Sequence, residues 1–139
     1  MGRSPAMTPR AREGSDTTDR RVFPLTSASV RGARHWVGDR LSDAGPELRA
    51  TVSLLVSELA ANAVQHGDTP FAVRFGQSDA CVRVEVTDDG GGQPQVAAHD
   101  LLAPSGRGLQ LVDAMATAWG VRAEEPPAKT VWFTVCPGP

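Results

Sequence analysis

The sequence has few of the features that mark a nucleic-acid binder or a membrane protein. Its 139 residues carry a net charge of −2, so no basic excess is present to neutralise the phosphates of a nucleic acid. No apolar run approaches the roughly 18 residues that span a bilayer, and the N-terminus has no hydrophobic centre typical of a signal peptide. We therefore expect a cytoplasmic protein with no direct contact to nucleic acid or membrane.

Cysteine is scarce as well. Cys81 and Cys136 are the only two, they form no Cys-x-x-Cys pair, and they lie far apart in the sequence. This pattern favours reduced thiols in strands over a disulfide or a metal site.

Composition and periodicity divide the chain into a tail and one domain. Residues 1–21 are polar, contain proline and glycine and show no hydrophobic periodicity, which predicts a disordered tail. Residues 22–139 are long enough to bury a core. We expect an α/β fold, a two-layer sandwich with three helices on one face of a mixed, mostly antiparallel sheet.

Local patterns predict the elements of this domain. VFPL at residues 22–25 is typical of a short edge strand, and FAVRFGQ and CVRVEVTD alternate like the strands of a hairpin. Helices are predicted over 27–41, 46–66 and 106–120, the last with Leu109, Val112 and Met115 directed inward. GVRAEE and KTVWFTVC are expected to be two closing strands.

The second helix contains the stretch VSELAANAVQHG, which has polar residues at four-residue spacing. Glu58, Asn62 and His66 lie on neighbouring turns at the edge of an apolar stripe, and Asn62 is the only asparagine in the chain. Residues at such an edge lie close to the core but not in its middle, which is where a helix can contribute side chains to a pocket. An amphipathic helix without any site has the same pattern where its apolar stripe ends.

A second polar motif, VTDDGGGQP, follows directly on a predicted strand. It combines Asp88 with Gly90 and Gly92, and three consecutive glycines exceed what a simple turn requires. The carboxylate could accept a hydrogen bond from a ligand amino group while the glycines leave room for a flat ring. An Asp-Gly turn is the alternative.

A third motif, SGRGLQLV, opens the third helix. The backbone amides of Gly106, Arg107, Gly108 and Leu109 would point along the positive end of the helix dipole, which makes an anion or phosphate site. A Gly-x-Gly pair also fits an ordinary helix start. The long loop before it carries glycine and proline and has few periodic apolar residues, which is typical of a functional loop.

In this order, the three motifs resemble the N, G1 and G2 boxes of the Bergerat-type ATP-binding superfamily of gyrase, histidine kinases and MutL. The resemblance covers about residues 22–136. VSELAANAVQHG, DDGGG and GRGLQLVD are most similar to the anti-sigma-factor serine kinases and their actinobacterial relatives. It implies an α/β sandwich that binds ATP with magnesium between the helices and a flexible lid, the loop at 93–105.

The resemblance also implies roles for individual residues. Asn62 corresponds to the magnesium ligand and Glu58 to the general base. Asp88 corresponds to the residue that recognises the adenine amino group, with Gly90 and Gly92 beneath the base.

Further positions follow from the same resemblance. Residues of the third motif would hold the phosphates, namely Gly106, Arg107, Gly108 and Leu109, although Arg107 also fits an exposed position at the rim. Thr130 corresponds to a position that supports the adenine pocket. Neither Lys129 nor His66 receives a defined role.

The implied function is a serine protein kinase that phosphorylates an anti-anti-sigma protein of the STAS type and holds a sigma factor. Glu58 favours this over a histidine kinase, which usually has asparagine or another polar residue there and needs a separate phosphoacceptor domain. Two alternative functions are also open: a non-catalytic module that sequesters a partner in an ATP-dependent way, and a weak ATPase subunit of a signalling complex. The sequence also leaves open whether the chain forms a homodimer.

Overall fold

The computed structural model describes residues 18–88, 107–125 and 128–138. Within these ranges, three helices pack on one face of a five-stranded sheet, which confirms the predicted α/β sandwich. The helices are α1 (Ala28–Arg40), α2 (Pro46–His66) and α3 (Arg107–Met115). The strands are β1 (Thr18–Phe23), β2 (Phe71–Ser78), β3 (Cys81–Asp88), β4 (Ala118–Ala123) and β5 (Lys129–Val135). None of the helices in these ranges is both long and apolar enough to cross a membrane.

The sheet is antiparallel at every described pairing, with the strand order β1-β2-β3-β5-β4. In the central strand β3, Val82, Val84, Val86 and Asp88 are buried, while the residues between them are only partly buried. Side chains alternate between the faces of a strand, so Asp88 shares the helix-covered face with the three valines. This face and the helices enclose the core.

The long helix α2 supplies much of that core. Its predicted apolar stripe is buried, and the helix has the expected bounds, with Pro46 in the first turn and Gly67 just beyond the last. The buried members of the stripe are Val52, Leu55, Val56, Leu59 and Ala63. Burial of each large aliphatic side chain contributes about 1.5–3 kcal/mol to stability.

Two predicted boundaries are wrong. Strand β1 begins at Thr18, inside the stretch expected to be a tail, because this polar edge strand is held by pairing with β2 and carries no apolar periodicity. Helix α3 ends at Met115, which is 39% exposed rather than directed inward, and the following residues Trp119 and Gly120 belong to β4.

The prediction of reduced thiols is also wrong in this structure, where Cys81 and Cys136 form a disulfide. Cys81 is the first residue of β3 and Cys136 follows the last residue of β5. Because Val82 pairs with Val135, the sheet register brings the two cysteines opposite each other, with their Cα atoms 4.2 Å apart. Their distance in sequence gave no sign of this proximity.

Candidate functional site

A pocket lies between helix α2 and the adjoining ends of β3 and β5. It is small and partly open to solvent. Leu59, Asn62 and Ala63 line it from α2, and β3 and β5 contribute Val86, Asp88, Lys129 and Val131. Largely apolar walls with a few polar groups are typical of a small-molecule site.

Asn62 lies at the edge of the apolar stripe, as its spacing predicts. It is only 8% exposed, and its Nδ2 atom has no hydrogen-bond partner in the described part of the chain. A buried polar atom without a partner costs about 1–3 kcal/mol. A ligand that supplies a partner would remove this penalty.

The start of α3 packs directly against this asparagine. A Cβ atom at Gly108 would lie 3.3 Å from Asn62 Nδ2, 3.4 Å from Asn62 Oδ1 and 3.5 Å from Glu58 Oε1. The fold therefore brings the third motif onto the first. The first N–H groups of a helix have no intrahelical partner and carry its positive dipole end, so they are able to bind an anion. The contact brings these amides close to the side-chain oxygens of Asn62 and Glu58.

Leu109 anchors that helix start. Its side chain is buried in the core, so only its backbone amide can take part in binding an anion. Arg107 is the first residue of α3. Gly90, Gly92, Gly106 and the predicted lid over 93–105 lie outside the described residues.

At the opposite end of the pocket, Asp88 is 5% exposed and Lys129 donates a hydrogen bond to it, with Nζ 3.4 Å from Oδ2. Gly67 allows the carboxylate to come close to the end of α2. A Cβ atom there would lie 2.6 Å from the carbonyl oxygen of Ala63 and 3.3 Å from Asp88 Oδ2. The absence of a side chain at Gly67 thus helps to form this end of the pocket.

The structure places Thr130 on the other face of the sheet. Lys129 pairs with Asp88 and Thr130 with Thr87, so the two neighbours point in opposite directions. The Thr130 hydroxyl lies 2.6 Å from that of Thr87 and donates to Glu124 at 2.8 Å. Thr130 is not among the described residues that line the pocket, whereas Lys129 is.

The sequence motifs gave Lys129 no role, although the alternation of residues in β5 indicates the face on which it lies. Val131, Phe133 and Val135 alternate with more polar residues in β5, and this alternation places residue 129 on the same face as the valines. His66, the last of the three polar residues at four-residue spacing in α2, does not line the pocket, and its buried Nε2 has no partner within the described ranges.

Nothing in the described ranges forms a protein-only metal centre. No group of three or more His, Cys, Asp or Glu side chains is placed to hold a metal there. Magnesium does not require such a cage, because it commonly binds through one or two protein oxygens together with waters and phosphate oxygens. The Asn62 side chain, buried beside the start of α3, fits that requirement.

Comparison with known proteins identifies similar domains. A family model described as a histidine kinase-like ATPase domain matches residues 23–135. The fold is similar to the crystal structure of the RsbU and RsbW domains of Rv1364c from Mycobacterium tuberculosis, with a TM-score of 0.66 and 19% sequence identity. The match covers 86% of this chain and 32% of that chain, and at this identity it shows the fold alone. No curated protein sequence shows significant similarity to this chain.

Proposed function

Because this chain belongs to the histidine kinase-like ATPase domain family, we propose that it is an ATP- and magnesium-dependent serine kinase of an anti-sigma-factor partner switch. One observation carries the proposal: Gly108 at the start of α3 packs against both Glu58 and Asn62. A phosphate-binding helix start, a candidate metal ligand and a candidate base thereby meet beside an apolar pocket.

In this proposal, the adenine base binds at the pocket. Leu59, Val86 and Val131 supply apolar surface for a flat ring, and Asp88 supplies an acceptor for the amino group. The phosphates would then lie towards the first amides of α3, where the positive dipole end favours negative charge.

Magnesium would be held by the Asn62 side-chain oxygen together with phosphate oxygens and water. The bound ion would neutralise negative charge on the phosphates, which is a large part of catalysis in phosphoryl transfer. Loss of Asn62 should therefore weaken the binding of ATP with magnesium more than the binding of ATP alone.

Glu58 is the candidate general base in this proposal. It lies one helical turn before Asn62, and its Oε1 atom faces the start of α3. A carboxylate there can orient a serine hydroxyl of the partner and accept its proton as the phosphoryl group is transferred. The resemblance of VSELAANAVQHG, DDGGG and GRGLQLVD to anti-sigma-factor serine kinases favours an anti-anti-sigma protein as substrate and a sigma factor as the second partner.

A phosphotransfer assay tests this proposal. The chain would be incubated with γ-labelled ATP, magnesium and STAS-type anti-anti-sigma proteins from the same genome, and the labelled residue identified by mass spectrometry. We expect transfer to serine, reduced by about 10²- to 10⁴-fold in Glu58→Gln, the range for loss of a general base. The control Glu47→Gln, in the exposed first turn of α2, should leave the rate unchanged.

The same assay distinguishes the alternatives. ATP-dependent capture of a partner without labelling would identify a non-catalytic sequestration module. Release of inorganic phosphate without transfer would identify an ATPase subunit. Either result would contradict the kinase proposal while leaving the nucleotide site in place.

A further inference from the structure

The pocket contains an ion pair that the sequence motifs do not explain. Lys129 Nζ lies 3.4 Å from Asp88 Oδ2, and the two residues face each other in the register of β5 and β3. The Asp88 side chain is 5% exposed and that of Lys129 20%, so the pair belongs to the pocket rather than to the outer surface. Lys129 is also the only lysine of the chain.

This pair places a hydrogen-bond donor beside an acceptor. An ammonium group only donates, and a carboxylate only accepts. The surrounding side chains of Leu59, Val86 and Val131 are apolar and suit the faces of a planar ring. A matching ligand therefore has an acceptor next to a donor on one edge of a flat heterocycle, as adenine has with its ring nitrogen N1 and the amino group on C6.

We propose that Lys129 is a specificity-determining residue that donates a hydrogen bond to adenine N1 while Asp88 accepts one from the amino group. This inference rests on the proposed nucleotide site. Thr130, the next residue, cannot fill this role from its position, since its hydroxyl lies on the other face of the sheet and bonds to Thr87 and Glu124.

A purely electrostatic role for Lys129 leads to a different expectation. If the ammonium group only offset the charge of the buried Asp88 carboxylate, its removal would weaken every purine ligand to a similar extent. A direct hydrogen bond to N1 would affect only ligands that have N1. The two roles can therefore be separated by changing one atom of the ligand.

Calorimetry with ADP and 1-deaza-ADP makes this comparison, because the analogue replaces N1 with a C–H group and keeps the amino group. We expect the native chain to bind ADP about 10- to 100-fold more tightly than the analogue, the range for a hydrogen bond to a charged group. Lys129→Met, which keeps an unbranched stem and loses the donor, should bring this ratio to about 1–3. Lys129→Arg, which keeps a donor, should retain part of it.

Arg74→Met is the matched control, since it removes an exposed cationic side chain of β2 away from the pocket. It should keep the native ratio. If the native chain binds ADP and 1-deaza-ADP with nearly equal affinity, the proposal is overturned. This result needs no variant, so the proposal can be tested even if Lys129→Met fails to fold. A folded Lys129→Met that keeps the native ratio would overturn it in favour of the electrostatic role. If the native chain binds neither ligand, the proposed nucleotide site itself is wrong.

Discussion

The backbone of Gly108 packs against the side chain of Asn62, so closely that a methyl group on Gly108 would lie 3.3 Å from Asn62 Nδ2. The contact joins the middle of α2 to the first turn of α3. The contact fixes how far the buried Asn62 side chain lies from the first backbone N–H groups of α3, which have no partner within the helix. In our account, this junction is where the phosphates and magnesium bind.

Gly108→Ala tests the junction without removing a functional side chain. Its new methyl group would lie tightly against Asn62 and in ordinary contact with Glu58, so we expect a displaced Asn62 and a fall in ATP affinity of about tenfold, equivalent to roughly 1.4 kcal/mol. The helix itself should not be weakened, because alanine is favoured over glycine in helices by about 0.5–1 kcal/mol. Calorimetry and thermal unfolding would measure the two effects separately.

Gly38→Ala in α1 is the control, since nothing lies within 4 Å of its added Cβ atom. It should leave ATP affinity unchanged. Equal affinities in the native chain and Gly108→Ala would show that the start of α3 does not contribute to the site in this way.

Gly67→Ala tests the other end of the pocket. Its Cβ atom would lie 2.6 Å from the Ala63 carbonyl oxygen, a distance that forces the backbone to shift. We expect the free energy of unfolding to fall by about 1–3 kcal/mol, as for other overpacked sites, and ATP affinity to fall because Asp88 is displaced. Urea denaturation and calorimetry would measure these changes. Gly138→Ala, which lies outside the helices and strands and meets nothing within 4 Å, is the control.

A gain in stability is expected from Ala80→Gly in the turn of the β2–β3 hairpin. Asp79 and Ala80 have φ values of 53° and 72°, the left-handed region that two-residue hairpin loops use and that glycine adopts without steric strain. The substitution should raise the free energy of unfolding by about 1 kcal/mol. The same change at Ala50, on the exposed side of α2, should lower it by about 1 kcal/mol. A loss of stability in Ala80→Gly would contradict this explanation.

The local parts of the site could be predicted from the sequence. The helical period alone places Asn62 at the edge of the stripe in α2, and Pro46 and Gly67 delimit that helix. Helix α2 therefore has its predicted bounds, and Asn62 of its polar edge lines a pocket.

Other features depend on how the strands pair and could not be predicted in this way. The pairing of Asp88 with Lys129 and the contact between Cys81 and Cys136 both follow from the register of β3 with β5. Thr130 was selected through family resemblance, which does not specify the face of the strand in this chain. A shift by one residue moves a side chain to the other side of the sheet, so a motif match alone cannot distinguish Lys129 from Thr130.

The most direct test of the central claim is calorimetric titration of ATP with and without magnesium into the native chain and Asn62→Ala. We predict magnesium-dependent binding that weakens by about tenfold or more in the variant, as expected when a metal site is damaged. Arg49→Ala, on the exposed side of α2, should match the native chain. Absence of ATP binding by the native chain, or an Asn62→Ala variant with native affinity and native magnesium dependence, would contradict the account.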